Sequence, residues 1–185
     1  MHTHDHTLLA KFGWKDPDKR HPLHDQICEY LVINAQQIFE KYGSPKRLQV
    51  ATPTVIRAEL EHIISKGDGK YRTHVGFIDA WITVNWEYHD GKGNEETYTA
   101  FEVKTTRTSI SEILRQVKLY RQHKNWRFAQ WIVVTTWSVS EDEKRLLQAE
   151  EIYHKRAEDL GFLPATPNYD KDSTLTPFLD TRVTP

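Results

Sequence analysis

From Thr73 to Tyr88 the chain reads THVGFIDAWITVNWEY, and after a polar turn it runs from Tyr98 to Arg121 as YTAFEVKTTRTSISEILRQVKLYR. The first stretch sets Asp79 inside an apolar run with strand alternation. Val75, Phe77, Asp79 and Trp81 fall on one face, and Ile78, Ala80, Ile82 and Val84 on the other. The second stretch separates Glu102 from Lys104 by one residue, so on a strand both side chains leave the same face. A packed sheet face has no use for a carboxylate and an ammonium, since burying them is costly unless they are paired or bind a cation. The pair is either a structural ion pair at a sheet rim or part of a metal-dependent site.

Working outward, the turn Asp90-Gly91-Lys92-Gly93-Asn94 joins the two stretches. Upstream, residues 47–65 are β-rich, with Pro53 confining their start to an edge or a break, and Gly67-Asp68-Gly69 reads as a hairpin turn. Three antiparallel strands follow: residues 47–65, 71–86 and 97–106. Before them, Leu23, Ile27, Tyr30, Leu31, Ile38 and Phe39 recur at helical spacing between Pro22 and Lys41, which predicts one amphipathic helix. Downstream, Ser109 to Glu112 is a capping box opening a helix to about Lys124. FAQWIVVTTW (residues 128–137) is a continuous apolar strand of the central or parallel kind. A second capping box at Ser140–Glu143 predicts a helix stopped by Gly161. The expected organisation is an N-terminal arm (1–21), one domain (22–161) and an extended tail (162–185). The expected fold is a mixed α/β sandwich.

The chain has 185 residues, 38% hydrophobic and 28% charged, enough for one sizeable core. A single cysteine, Cys28, excludes an internal disulfide and a cysteine-based zinc cluster, and its helical position predicts a core residue. No apolar run reaches membrane-spanning length and the polar N-terminus does not read as a signal peptide, so no membrane partner and a cytoplasmic location are expected. His2, His4 and His6 are read as a solvated arm rather than a metal site. A net charge of −1 argues against a general nucleic-acid wrapper. The charge is nevertheless uneven: seven Lys and Arg against one acid lie between Lys104 and Arg127. That segment could face phosphates.

Two carboxylates brought together by pairing of neighbouring strands repel unless a hard cation lies between them. Mg²⁺ uses one or two carboxylates and keeps several waters, which matches Asp79 and Glu102. Such an ion polarises a phosphoryl oxygen and acidifies a bound water. Lys104 on the same face would orient that water or neutralise developing charge.

These residues resemble the PD-(D/E)XK nuclease superfamily: Asp79 in Gly76-Phe77-Ile78-Asp79, then Glu102-Val103-Lys104. Gln116 and Tyr120, four apart in Gln116-Val117-Lys118-Leu119-Tyr120, are similar to the QxxxY helix motif of its RecB-like branch. The resemblance spans roughly residues 22–137 on five motif positions. It departs from the family pattern in having Ile78 where proline is common. It implies a restriction-endonuclease-like α-β-β-β-α-β core, a mixed sheet flanked by helices. It also implies Mg or Mn held by Asp79, Glu102 and the Val103 carbonyl, with a further acid from Glu29 or Glu61. Lys104 would be the catalytic lysine, and Gln116 and Tyr120 would position it, the phosphate or the bound strand. Arg107, Arg115, Lys118 and Arg121 would contact the nucleic-acid backbone. The expected activity is metal-dependent hydrolysis of phosphodiester bonds, in DNA before RNA, helped by a homo-oligomer or a partner protein. The alternatives are a non-catalytic nucleic-acid-binding or protein-interaction module of the same fold, and a small-nucleotide phosphodiesterase.

Overall fold

The computed structural model describes residues 22–42, 51–66, 73–89, 91, 93–122 and 129–163. The expected N-terminal arm, the Gly67–Gly69 turn, Lys124, Arg127 and the chain after residue 163 lie outside them. The helix expected from Pro22 to Lys41 is two: α1 (Pro22–Ile33) and α2 (Ala35–Tyr42). They meet at Asn34, whose backbone N–H and side-chain Nδ2 both donate to the Tyr30 carbonyl, at 2.9 and 3.0 Å. A side chain that bonds back to the carbonyl four residues earlier competes with the helical ladder and bends it.

Strands β1 (Ala51–Lys66), β2 (Thr73–Tyr88) and β3 (Asn94–Lys104) form the antiparallel meander that the turns predict. β1 lies at an edge of the sheet, as Pro53 requires. Gln36 of α2 covers that edge by donating to the Pro53 carbonyl and accepting from the Val55 N–H. Helix α3 (Ile110–Arg121) follows, its first turn capped by the Ser109 hydroxyl accepting from the Glu112 N–H. β4 (Gln130–Thr135) pairs parallel to β3, in line with its unbroken apolar run.

The helix expected to reach Gly161 does not. α4 (Glu141–Ala149), opened by a capping box closed in both directions at Ser140, stops twelve residues short of Gly161. Glu151 takes a φ of 56°, and the chain turns into a fifth strand, β5 (Ile152–Arg156), parallel to β4. Gly161 instead ends a 3₁₀ turn (Glu158–Leu160), at a φ of 93° and with the Tyr30 hydroxyl 2.7 Å from where a Cβ would sit. Phe162, read from the sequence as the first residue of the tail, is buried edge-on against Tyr30 at 5.5 Å.

The sheet order is β1-β2-β3-β4-β5, with helices on both faces. One layer packs Ile27, Leu31 and Phe39 of α1 and α2 on Ile82, Trp86, Phe101 and Val103. The other packs Ile113, Val117 and Tyr120 of α3 and Leu147 of α4 on Trp81, Trp131 and Val133. Each fully buried aliphatic side chain contributes about 1.5–3 kcal/mol of hydrophobic stabilisation. The molecule is thus an α/β structure with the α-β-β-β-α-β order of a restriction-endonuclease-like core, extended by α4 and β5. Among the described residues no helix is long and apolar enough to cross a membrane.

The expected two faces of β2 do not persist along its length. Ile78 packs with Trp81 in the layer under α3, whereas Ala80 packs in the layer under α1. The alternation exchanges at Asp79, where pairing with β3 ends at Ala80↔Phe101. Across the sheet, Glu61 of β1, between the pairs Leu60↔Ala80 and His62↔Ile78, has a φ of 50°. Irregular backbone on a neighbouring strand and a lost ladder on the other side let β2 re-aim one side chain.

Candidate functional site

The re-aimed side chain is Asp79. Beyond Ala80 the β2–β3 ladder is replaced by a side-chain bond: Asp79 Oδ2 accepts the Val103 N–H at 2.6 Å. This ties the aspartate to the residue between Glu102 and Lys104. Glu102, only 1% exposed, projects from β3 towards α3. Its Oε1 accepts two bonds of 2.6 Å, from Lys104 Nζ and from Gln116 Nε2. Gln116 Oε1 accepts a second bond from Lys104 Nζ at 3.0 Å, and Gln116 Nε2 also reaches the Tyr120 hydroxyl at 2.9 Å. Helical spacing aligns Gln116 and Tyr120 on the inner face of α3. The structure therefore joins Glu102, Lys104, Gln116 and Tyr120 in one hydrogen-bonded network, with Asp79 tied to Val103, the residue between two of them.

Within that network one atom is left over. Glu102 Oε2 is buried without a hydrogen-bond partner. Burial, and after it the charge of Asp79, push the Glu102 carboxyl up to about 8 against the opposing pull of Lys104. For Lys104, burial works against the ammonium, but the charge and hydrogen bond of Glu102 outweigh it and raise its pKa. An unpaired buried carboxylate oxygen beside a second carboxylate is a position for a cation. Mg²⁺ or Mn²⁺ suits it, since such ions take oxygen ligands and need only one or two protein carboxylates. Among the described residues no group of three or more His, Cys, Asp and Glu side chains forms a ready-made metal cage.

A fourth charged group was not singled out from the sequence. His24 of α1 places Nε2 3.4 Å from Asp79 Oδ2 and Nδ1 3.4 Å from Asp25 Oδ1. Burial disfavours its charged form, but the hydrogen bonds and charges of Asp79 and then Asp25 win and raise it to about 9. The available signal was a histidine one turn before Cys28, on a helix face otherwise given to Ile27 and Leu31. Cys28 is buried, as expected. Of the two extra acids proposed from the sequence, Glu29 is exposed on α1, whereas Glu61 sits across from Asp79 on β1.

The basic residues separate into two groups. Arg107, in the loop after β3, and Arg115, on the outer face of α3, are exposed. Lys118 instead pairs with Glu150 at 2.8 Å. Arg121 donates to the Glu150 and Glu151 carbonyls, at 2.5 and 3.1 Å, so it clamps the turn that leads into β5.

No family model and no curated protein matches the sequence. Two solved structures are similar to it. Protein VC1899 from Vibrio cholerae has a TM-score of 0.47 and 9% identity over 74% of this chain. The MspJI restriction endonuclease in complex with a 27-mer oligonucleotide has a TM-score of 0.42 and 18% identity over 83%. The chain spans 30% and 29% of those two proteins, respectively.

Proposed function

We propose that the protein is a Mg- or Mn-dependent nuclease that hydrolyses phosphodiester bonds, with DNA as the favoured substrate. The observation that carries this reading is Glu102: Oε1 is saturated by Lys104 and Gln116, while Oε2 is buried and unpartnered in a carboxyl that feels the charge of Asp79. Asp79, Glu102 and the Val103 carbonyl would hold the ion, and Glu61 is the better placed of the two additional acids. When bound, the ion supplies a polarised phosphoryl oxygen and an acidified water.

This chain's own residues do the rest. Asp79 keeps its carboxylate against β3 through the Val103 N–H, so its position is set before any ligand arrives. Lys104 Nζ, steered by Glu102 and Gln116, presents its remaining donor capacity to the reacting phosphate or the attacking water. The Gln116–Tyr120 pair supports the RecB-like branch within this class. Arg107 and Arg115 would hold the backbone of the nucleic acid. A net charge of −1 leaves room for a second copy or a partner protein to add affinity.

The test is incubation of the protein with plasmid, linear single- and double-stranded DNA, RNA and a small nucleotide diester, in Mg²⁺, Mn²⁺ or EDTA. Cleavage that needs the ion and is lost in Asp79→Asn and Lys104→Ala is expected. Binding of nucleic acid without cleavage in every metal would sink the proposal in favour of a binding module. Hydrolysis of the small diester with polymers intact would make the protein a nucleotide phosphodiesterase.

A further inference from the structure

Gly76 lies in β2 opposite Ile64, three residues before Asp79. It is not among the positive-φ glycines, so its backbone conformation is open to other residues. What requires glycine there is space. A Cβ on Gly76 would come within 2.6 Å of Tyr120 Cε1, 2.8 Å of its hydroxyl and 3.0 Å of Cζ. The Tyr120 ring is 6% exposed and packs against Trp131 with centroids 5.9 Å apart, so it cannot swing away cheaply. A glycine inside a strand weakens the strand and marks a close approach, here of the tyrosine ring to the backbone.

We propose that Gly76 is a positioning residue: by letting the Tyr120 ring approach the β2 backbone closely, it fixes Gln116 and so decides which oxygen of Glu102 stays open. The inference rests on the metal-site reading above for its purpose, though not for its geometry. The relay has three links. Tyr120 offers its hydroxyl oxygen to Gln116 Nε2; the same Nε2 holds Glu102 Oε1; and Gln116 Oε1 holds Lys104 Nζ. With Oε1 held twice, Oε2 alone remains for an ion. A residue larger than glycine at position 76 would push the ring, rotate the Gln116 amide and free Oε1 to compete with Oε2.

The experiment is a double-mutant cycle of Gly76→Ala with Tyr120→Ala, read on metal-free protein by the side-chain NH₂ resonances of Gln116. In the wild type these are expected to be shifted from free-amide positions and protected from exchange. Gly76→Ala should move them and speed their exchange by about tenfold or more. In the double variant the added Cβ fills space vacated by the ring, so it should match Tyr120→Ala alone. Unchanged Gln116 signals in Gly76→Ala, or additive effects in the double variant, overturn the proposal. If Gly76→Ala fails to fold, a folded double variant supports the contact and an equally unfolded one refutes it. In the active protein, Gly76→Ala should lower kcat while leaving KM within about twofold, since no substrate contact is removed. Should the wild type neither bind Mn²⁺ nor cleave any substrate, the nuclease reading fails while the resonances still decide the role of Gly76.

Discussion

At the scale of single residues, Asp79 has two separable duties besides its pairing with His24 Nε2 at 3.4 Å. It accepts the Val103 N–H where the strand ladder ends, and its negative charge acts on the Glu102 carboxyl. Asparagine keeps the acceptor and drops the charge, whereas alanine drops both. Asp79→Asn should therefore unfold in urea within about 1 kcal/mol of the wild type, while Asp79→Ala leaves a buried N–H unpaired and loses about 1–3 kcal/mol. Both should lose Mn²⁺ binding by calorimetry. Equal stability losses in the two variants would show that the Val103 bond contributes nothing. Gln116→Leu gives a complementary result: it strands the Tyr120 hydroxyl and removes one of two bonds to Glu102 Oε1 and one to Lys104 Nζ. Its expected cost is also about 1–3 kcal/mol, measured by the same unfolding.

At the scale of elements, the strands were readable wherever local chemistry decides them. The alternation of β2, the apolar run of β4 and the cap at Ser140 all have local causes, and Gln116 with Tyr120 needed only the helical repeat. β5 was not readable. The turn into it uses Glu151 in a left-handed conformation, held by Arg121 from 30 residues away, and no local pattern announces a contact of that range. The exchange of faces at Asp79 escaped for the same kind of reason, since it depends on where β3 stops pairing. His24 escaped because one polar residue on an apolar face carries no period. The β4–β5 pairing has its own pH signature. Thr135 Oγ1 donates to the Trp137 carbonyl and accepts from His154 Nε2 at 2.8 Å, so the neutral ring carries its proton on Nε2. Burial, and then the Lys144, Arg156 and Lys155 charges, hold the imidazole below its usual range against Asp159. A base depressed in the folded state stabilises the fold above about pH 6.5 and loses that contribution as pH falls through the folded value. Thermal unfolding should show the wild-type Tm falling relative to that of His154→Gln as pH drops below about 6.5.

At the scale of the whole molecule, a chain of net charge −1 can hold a polyanion only through a local excess of positive charge. The segment from β3 into α3 supplies that excess on paper, but the fold divides its cations between two tasks. Lys118 and Arg121 are engaged with the turn before β5, whereas Arg107 and Arg115 lie exposed on either side of the first turn of α3. The two pairs should therefore fail in different experiments. Arg107→Ala and Arg115→Ala should each weaken DNA binding across all sequences and reduce the slope of log K against log salt by about one. Neither should change the unfolding midpoint appreciably, because an exposed cation contributes little to stability. Arg121→Ala should instead release two carbonyls at the mouth of β5 and cost about 1–3 kcal/mol in urea, with the salt slope unchanged. Lys118→Ala, losing one exposed ion pair, should cost under about 1 kcal/mol. If all four substitutions lower the salt slope alike, the α4–β5 turn opens when DNA binds and Arg121 is exchanged from carbonyl to phosphate. That outcome would make the fifth strand part of the substrate response rather than a fixed wall.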